Sequence, residues 1–184
     1  MAEKKAKKFN TKDIVYIGLF ASLIVICSWI SIPLTVPVTL QTLAVCLTAG
    51  LSGAKKGVLS VAIYIFLGIV GLPVFSGFKS GIGALLSPTG GYVIGFIFTA
   101  LIVGIVSDRS KGKIIPLVLS MITGVIACYF FGTIWFAVIY ANQNSSPAAL
   151  TTILGWCVVP FIIPDGVKIA IASLLTIRLK RFIK

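Results

Sequence analysis

Asp165 and Lys168 are an acid and a base three residues apart in an otherwise apolar stretch, and Lys79 is a second base in a distant glycine-rich segment. On a helix, positions i and i+3 share a face, so the first two side chains can reach each other. Such a pair can neutralise itself as an internal ion pair, with Asp165 also capping the helix after Pro164. Alternatively, it can present donor and acceptor together to a ligand that carries both. Lys79 could close such a site from a neighbouring loop, or be an ordinary exposed lysine.

Chemistry beyond binding is poorly provided for. The chain has no histidine, which excludes imidazole catalysis and histidine-ligated metals. Cys27, Cys46, Cys128 and Cys157 form no C-x-x-C pair and all fall in apolar segments, as small buried thiols do. No Walker A sequence is present, so the chain does not hydrolyse nucleotide by itself. One intramembrane carboxylate is thin for a proton relay or sodium site. A lone Asp and Lys define no reaction, so the expectation is a non-enzyme without catalytic residues, metal or cofactor.

The elements that must position these residues are membrane spans. Of 184 residues, 58% are hydrophobic and 11% charged, and the apolar runs are too long and too many for one soluble core. The expectation is an all-α polytopic membrane protein forming one transmembrane domain over 1–184. Lys and Arg outnumber Asp and Glu by 16 to 4, but they sit between spans, where they report topology and anionic lipid rather than nucleic acid.

Residues 1–13 read as a basic cytoplasmic tail, and Ile14 to Ile32 as the first span rather than a cleaved leader. Pro33 and Pro37 bracket a short turn. The second span covers about Val38 to Ser52, the third about Val58 to Val70, with the basic turn Ala54-Lys55-Lys56-Gly57 between them. Both are short against the roughly 20 residues a bilayer needs. The fourth span runs from about Tyr92 to Ser107 and the fifth from about Ile114 to Tyr140. Leu150 to Ile163 is apolar but broken by Gly155 and Pro160, and the sixth span runs from about Asp165 to Leu179. Five basic residues precede the first span, two follow the second, three the fourth and four the sixth. Every second loop is basic, so six spans with both termini cytoplasmic is self-consistent.

Lys79 and Lys168 are the two bases outside that cytoplasmic set. Lys168 lies ten residues before Arg178, roughly 15 Å along a helix, which is near the midplane of a core about 30 Å thick. A lysine at that depth must face the protein interior. The loop over 71–91 then lies outside. It holds six of the eighteen glycines, yet Leu72, Val74, Phe75, Phe78 and Ile82 keep it too apolar for a solvated linker. It reads as a cover for a small ligand, with a plain re-entrant connector as the alternative.

Three motifs carry a resemblance along nearly the whole chain. They are Ile32-Pro33-Leu34-Thr35-Val36-Pro37-Val38-Thr39-Leu40-Gln41-Thr42-Leu43; Gly71-Leu72-Pro73-Val74-Phe75 with Ser87-Pro88-Thr89-Gly90-Gly91-Tyr92; and Pro160-Phe161 leading to Pro164-Asp165 and Lys168. In these the sequence resembles the BioY family, the biotin-specific substrate-binding (S) components of energy-coupling factor transporters. The resemblance implies a six-helix S-component fold, biotin as ligand, and a partner module of a transmembrane coupling subunit and two ATPases. The expected ligand-binding set is Asp165, Lys168, Gly77, Gly81, Gly90, Gly91, Tyr92 and Gln41, with Lys79 added on physical grounds as a positive charge supplied from the loop and not by the resemblance. The chain departs from the family pattern at Lys79, where a small or amide residue is usual, and at Val93, where some members have a base. Which group meets the ligand carboxylate is thereby left open between Lys79 and Lys168. In the first span, Gly18 and Ser22 are four apart and share a face on which another helix can approach closely. Internal packing would use such a face equally well; the resemblance assigns it to the coupling subunit. Another vitamin, or a small pore in which Asp165 and Lys168 are merely paired, are the alternatives to biotin transport.

Overall fold

The computed structural model describes residues 10–110, 113–144 and 148–182. The first helix, α1, covers Thr11–Trp29. It starts within the expected tail because Asn10 and Asp13 form a reciprocal cap: Thr11 N–H donates to Asn10 Oδ1 at 2.7 Å, and Asn10 N–H to Asp13 Oδ2 at 3.2 Å. First-turn N–H groups have no intrahelical acceptor, and this pair satisfies two donors at once. Residues 1–9 of the tail lie outside the described residues.

The proline-bracketed turn is wider than expected. β1 (Ser31–Ile32) pairs antiparallel with β2 (Val38–Thr39), so the next helix, α2, begins at Gln41 and runs to Ile69. It does not run straight. Gly53 has φ 78° and ψ −179°, a left-handed excursion that costs glycine little and that L side chains rarely adopt. The arms on either side fold back on each other. Gln41 Nε2 lies 2.6 Å from Tyr64 Oη, whereas 23 residues of straight helix would separate them by roughly 34 Å. Asp108 accepts the Ala54 N–H at 3.1 Å and so caps the second arm.

A loop containing a 3-10 turn (Ser76–Phe78) and the short α3 (Ile82–Leu85) leads to α4 (Gly90–Arg109). Then follow α5 (Ile114–Asn144), α6 (Leu150–Cys157) and α7 (Val159–Lys180). The sixth span was expected to begin at about Asp165; α7 begins earlier, at Val159. Pro160 sits in its first turn, where a missing N–H costs nothing. Pro164 is inside the helix, a position that membrane helices tolerate when neighbours satisfy the freed carbonyl.

Among the described residues, five helical stretches are long and apolar enough to cross a membrane, with the whole of α2 as one of them. α4 packs against both α2 and α5, and α1 and α7 against α2. Ile24, Val45, Val61, Tyr64, Val103 and Met121 are fully buried at the centre. A second cluster joins Val36 and Val38 to Phe136, Ile153, Cys157 and Phe161. The outward surface is apolar, with Ile115 and Phe130 each 71% exposed and Ile163 79%, as lipid contact requires. One end of the bundle is fastened by polar contacts. Lys56 meets Asp13 at 2.9 Å, Lys180 Nζ donates to Ser107 Oγ at 2.6 Å, and Ser107 Oγ donates to the Gly50 carbonyl.

Candidate ligand-binding site

Away from that fastened end, α7 carries Asp165 and Lys168 inward. They are 2% and 6% exposed. Lys168 Nζ donates to Asp165 Oδ1 at 2.6 Å, and Tyr129 Oη, from α5, donates to Oδ2 at 2.5 Å. A buried ion pair is tolerable only when its hydrogen-bonding capacity is largely met. Here the carboxylate has spent two of about four acceptor positions and the ammonium one of three donors. The cluster is neutral, yet it can still accept and donate.

The unused capacity faces a cavity. About 780 Å³ of space, open mouth included, is enclosed by Asp165, Lys168 and Tyr129 together with Gln41, Tyr92 and Lys79 and apolar walls from Val36, Phe75, Phe96 and Phe161. Gln41, in the first turn of α2, is held by Tyr64 through Nε2 and by Thr39 Oγ1, which lies 3.1 Å from Oε1. Tyr92, in the first turn of α4, has its hydroxyl 3.0 Å from Thr133 Oγ1. Tyr129 presents its ring edge to Phe161, centroids 6.3 Å apart. Gln41, Tyr92 and Tyr129 are therefore each fixed by a neighbour on another element.

The loop over 71–91 closes part of the wall and is fastened along its length. Trp29 Nε1 donates to the Pro73 carbonyl at 2.9 Å, Ser28 Oγ to the Val74 carbonyl at 2.5 Å, and Trp135 Nε1 to the Ser87 carbonyl at 3.1 Å. Phe75 is buried with its ring edge-on to Tyr64. Only 77–80 form a continuous exposed stretch between these anchors and the next turn.

Five residues of the expected binding set line the cavity: Gln41, Lys79, Tyr92, Asp165 and Lys168. The four glycines do not. A Cβ on Gly90 would stand 1.7 Å from the Leu85 carbonyl oxygen, and one on Gly91 2.3 Å from Trp135 Cβ; both permit close packing. Gly77 and Gly81 have φ of 70° and 82° and turn the loop. Among the lining residues outside the expected set, Tyr129 is the one bonded to Asp165, and sequence reading missed it because its partner is 36 residues away on another helix. Gly18 and Ser22 lie on the exposed face of α1, Ser22 Oγ donating to the Gly18 carbonyl at 3.0 Å, and a Cβ on Gly18 would meet no atom within 4 Å. Among the described residues, internal packing does not use this face.

Comparison with known proteins agrees with this architecture. The model of the BioY family matches residues 2–184. A biotin transporter BioY of Thermotoga maritima is 38% identical over 171 residues, 92% of this chain and 96% of its own. A probable biotin transporter BioY of Pyrococcus horikoshii is 37% identical over 172 residues, 93% of this chain and 98% of its own. Among solved structures, the S-component for biotin from an ECF-type ABC transporter is similar with a TM-score of 0.82, at 27% identity and 95% coverage of both chains. With the match running the length of the sequence and the fold agreeing, the chain belongs to the BioY family.

Proposed function

We propose that this chain is the biotin-binding S component of an energy-coupling factor importer. The observation that carries the reading is the buried Tyr129, Asp165 and Lys168 cluster, whose spare donors and acceptors open into a cavity with aromatic and aliphatic walls. Biotin's ureido ring has two N–H donors and a carbonyl acceptor, which Asp165 and Lys168 match respectively, and its thiophane ring and valeryl chain suit the apolar walls. Gln41 and Tyr92 complete the pocket. Gly77, Gly81, Gly90 and Gly91 act through the shape of the loop rather than as contacts. The biotin transporters among the relatives support the choice of ligand.

In this reading the protein resides in the cell membrane and crosses it six times, each arm of α2 counting as one crossing. The fastened end and both termini are cytoplasmic, as the distribution of Lys and Arg favours; the cavity and the 71–91 loop face outward. A transmembrane coupling subunit and two ATPases supply the work, and the open face at Gly18 and Ser22 is where the coupling subunit packs.

Thermal unfolding of the detergent-solubilised protein with a panel of vitamins tests the ligand. Biotin at 100 times its dissociation constant adds about 2.7 kcal/mol of stability. A response to another vitamin would reassign the ligand, and a response to none would favour a pore.

A further inference from the structure

The loop over 71–91 has two apolar faces. Val74, Phe75 and Leu85 are buried against the bundle, whereas Phe78, Ile82 and Leu86 are each more than half exposed. Ile82 and Leu86 are four apart along α3 and its C-cap, so they share the outer side of that turn while Leu85 takes the inner. Over 71–91 Lys79 is the one charged residue. An outer face this apolar and this poor in charge marks a contact surface rather than a solvated one.

The level of this face along the bundle is set by α5. Gly91 packs so closely on Trp135 that a Cβ would stand 2.3 Å from Trp135 Cβ, and Trp135 Nε1 donates to the Ser87 carbonyl at 3.1 Å. That contact is not the end of α5, which runs on from Trp135 to Asn144, roughly 14 Å of helix. Val138, beyond Trp135, is still exposed, and it forms an apolar groove on the outside of α5 with Phe131, Ile134, Trp135 and Ile139. The lipid-facing surface therefore continues past the level of the loop. On the other side of the loop, Trp29 stacks on Phe78 with centroids 5.3 Å apart and donates to the Pro73 carbonyl at 2.9 Å. Tryptophan is enriched where acyl chains meet headgroups, and both indoles here hold the loop at their own depth.

Irregular backbone at such a depth must satisfy its own polar groups. Phe75 N–H donates to the Lys79 carbonyl at 3.1 Å, Gly81 N–H to the Gly68 carbonyl at 2.7 Å and Leu86 N–H to the Ile82 carbonyl at 3.0 Å. The carbonyls of Pro73, Val74 and Ser87 accept from Trp29, Ser28 and Trp135. Phe78 adds a second sign of the surroundings. Its φ of 57° is in the left-handed region, an outlier for a bulky residue that needs an offsetting contact. Aiming its ring at water would add to that cost, whereas aiming it at acyl chains offsets it.

We propose that the outer face of the 71–91 loop, through Phe78, Ile82 and Leu86, is embedded in the lipid leaflet at the cavity end, between Trp29 and Trp135. The loop is then an interfacial element rather than a solvated cover. Lys79 fits this placement, since its apolar stem can lie along the boundary while the ammonium reaches water. The exposed stretch over 77–80 moves, where it moves, against lipid. The inference rests on the chain spanning a membrane and is independent of which ligand the cavity takes.

Ile82→Cys and Leu86→Cys, each carrying an environment-sensitive fluorophore in phosphatidylcholine nanodiscs, test the placement. The native cysteines are buried and leave the background low. Phe130→Cys, on the exposed apolar side of α5, and Asn142→Cys, near its polar end, serve as references for lipid and for water. Both loop labels should emit to the blue of the Asn142→Cys label and resist iodide as the Phe130→Cys label does. Lipid spin-labelled near the headgroup should quench them more than lipid spin-labelled near the acyl terminus. Iodide quenching as strong as at Asn142→Cys would place the face in water and overturn the proposal. Shielding from iodide and from both spin-labelled lipids would mean that a second copy of the chain covers the face, and would also overturn it.

Discussion

At Asp165 two donors, Tyr129 and Lys168, share one carboxylate, and their arrangement predicts unequal losses. Asp165→Asn leaves the Lys168 ammonium buried without its counter-charge, and Lys168→Met does the reverse; each should weaken biotin binding by a hundredfold or more, about 3 kcal/mol. Tyr129→Phe removes one donor and leaves the ion pair, so a loss of about tenfold is expected, with the unfolding temperature nearly unchanged. Equilibrium titration of purified variants measures all three, and wild-type affinity in both Asp165→Asn and Lys168→Met would sink the clamp. The pair itself was legible in the sequence because spacing of three on a helix is a contact. Tyr129 was illegible for the opposite reason: it joins the site through packing of α5 on α7, which a single sequence does not encode in any local pattern.

Among the elements, most spans could be read from apolar runs and the basic residues between them, while their ends could not. Asn10 and Asp13 extend α1 into the expected tail by capping it, and Pro164, read as a helix start, lies within α7. Two-residue strands such as β1 and β2 have no periodicity to detect. The open face of α1 yields a prediction at this scale. Gly18→Leu or Ser22→Leu should bind biotin normally, since nothing in the bundle stands close to Gly18, yet lose co-purification with the coupling subunit and ATP-driven uptake. Uptake at the wild-type rate would remove this face from the partner interface. For the loop, the anchors at Pro73, Val74 and Ser87 restrict any closure over ligand to the exposed stretch around Phe78 to Ser80. Biotin should slow thiol labelling at Ser80→Cys, against a low background because Cys27, Cys46, Cys128 and Cys157 are buried. Identical rates with and without biotin would count against such closure.

Across the whole molecule, polarity is sorted along the bundle. Side-chain fastenings from α1, α2, α4 and α7 gather at one end, and the cavity with its lysine-bearing loop opens away from them. This division follows from a simple economy of burial: in a bundle this apolar, buried polar groups must find one another, and those with capacity to spare must face a cavity. Net charge alone, +12 by formal count, does not tell which lysines line the cavity.

The reversal at Gly53 also sets a parity. A chain that entered and left α2 on opposite faces of the membrane would cross five times and end on the side opposite its start. In the proposed six-crossing reading, doubling back at one glycine makes the number even, and α1 then starts on the same face as α7 ends. A reporter that matures only in the cytoplasm, joined in turn to each end, should be active at both positions; activity at one end alone would mean an odd number of passages. In that reading, one backbone angle of 78° decides whether the start of α1 and the end of α7 face the same anionic lipid leaflet.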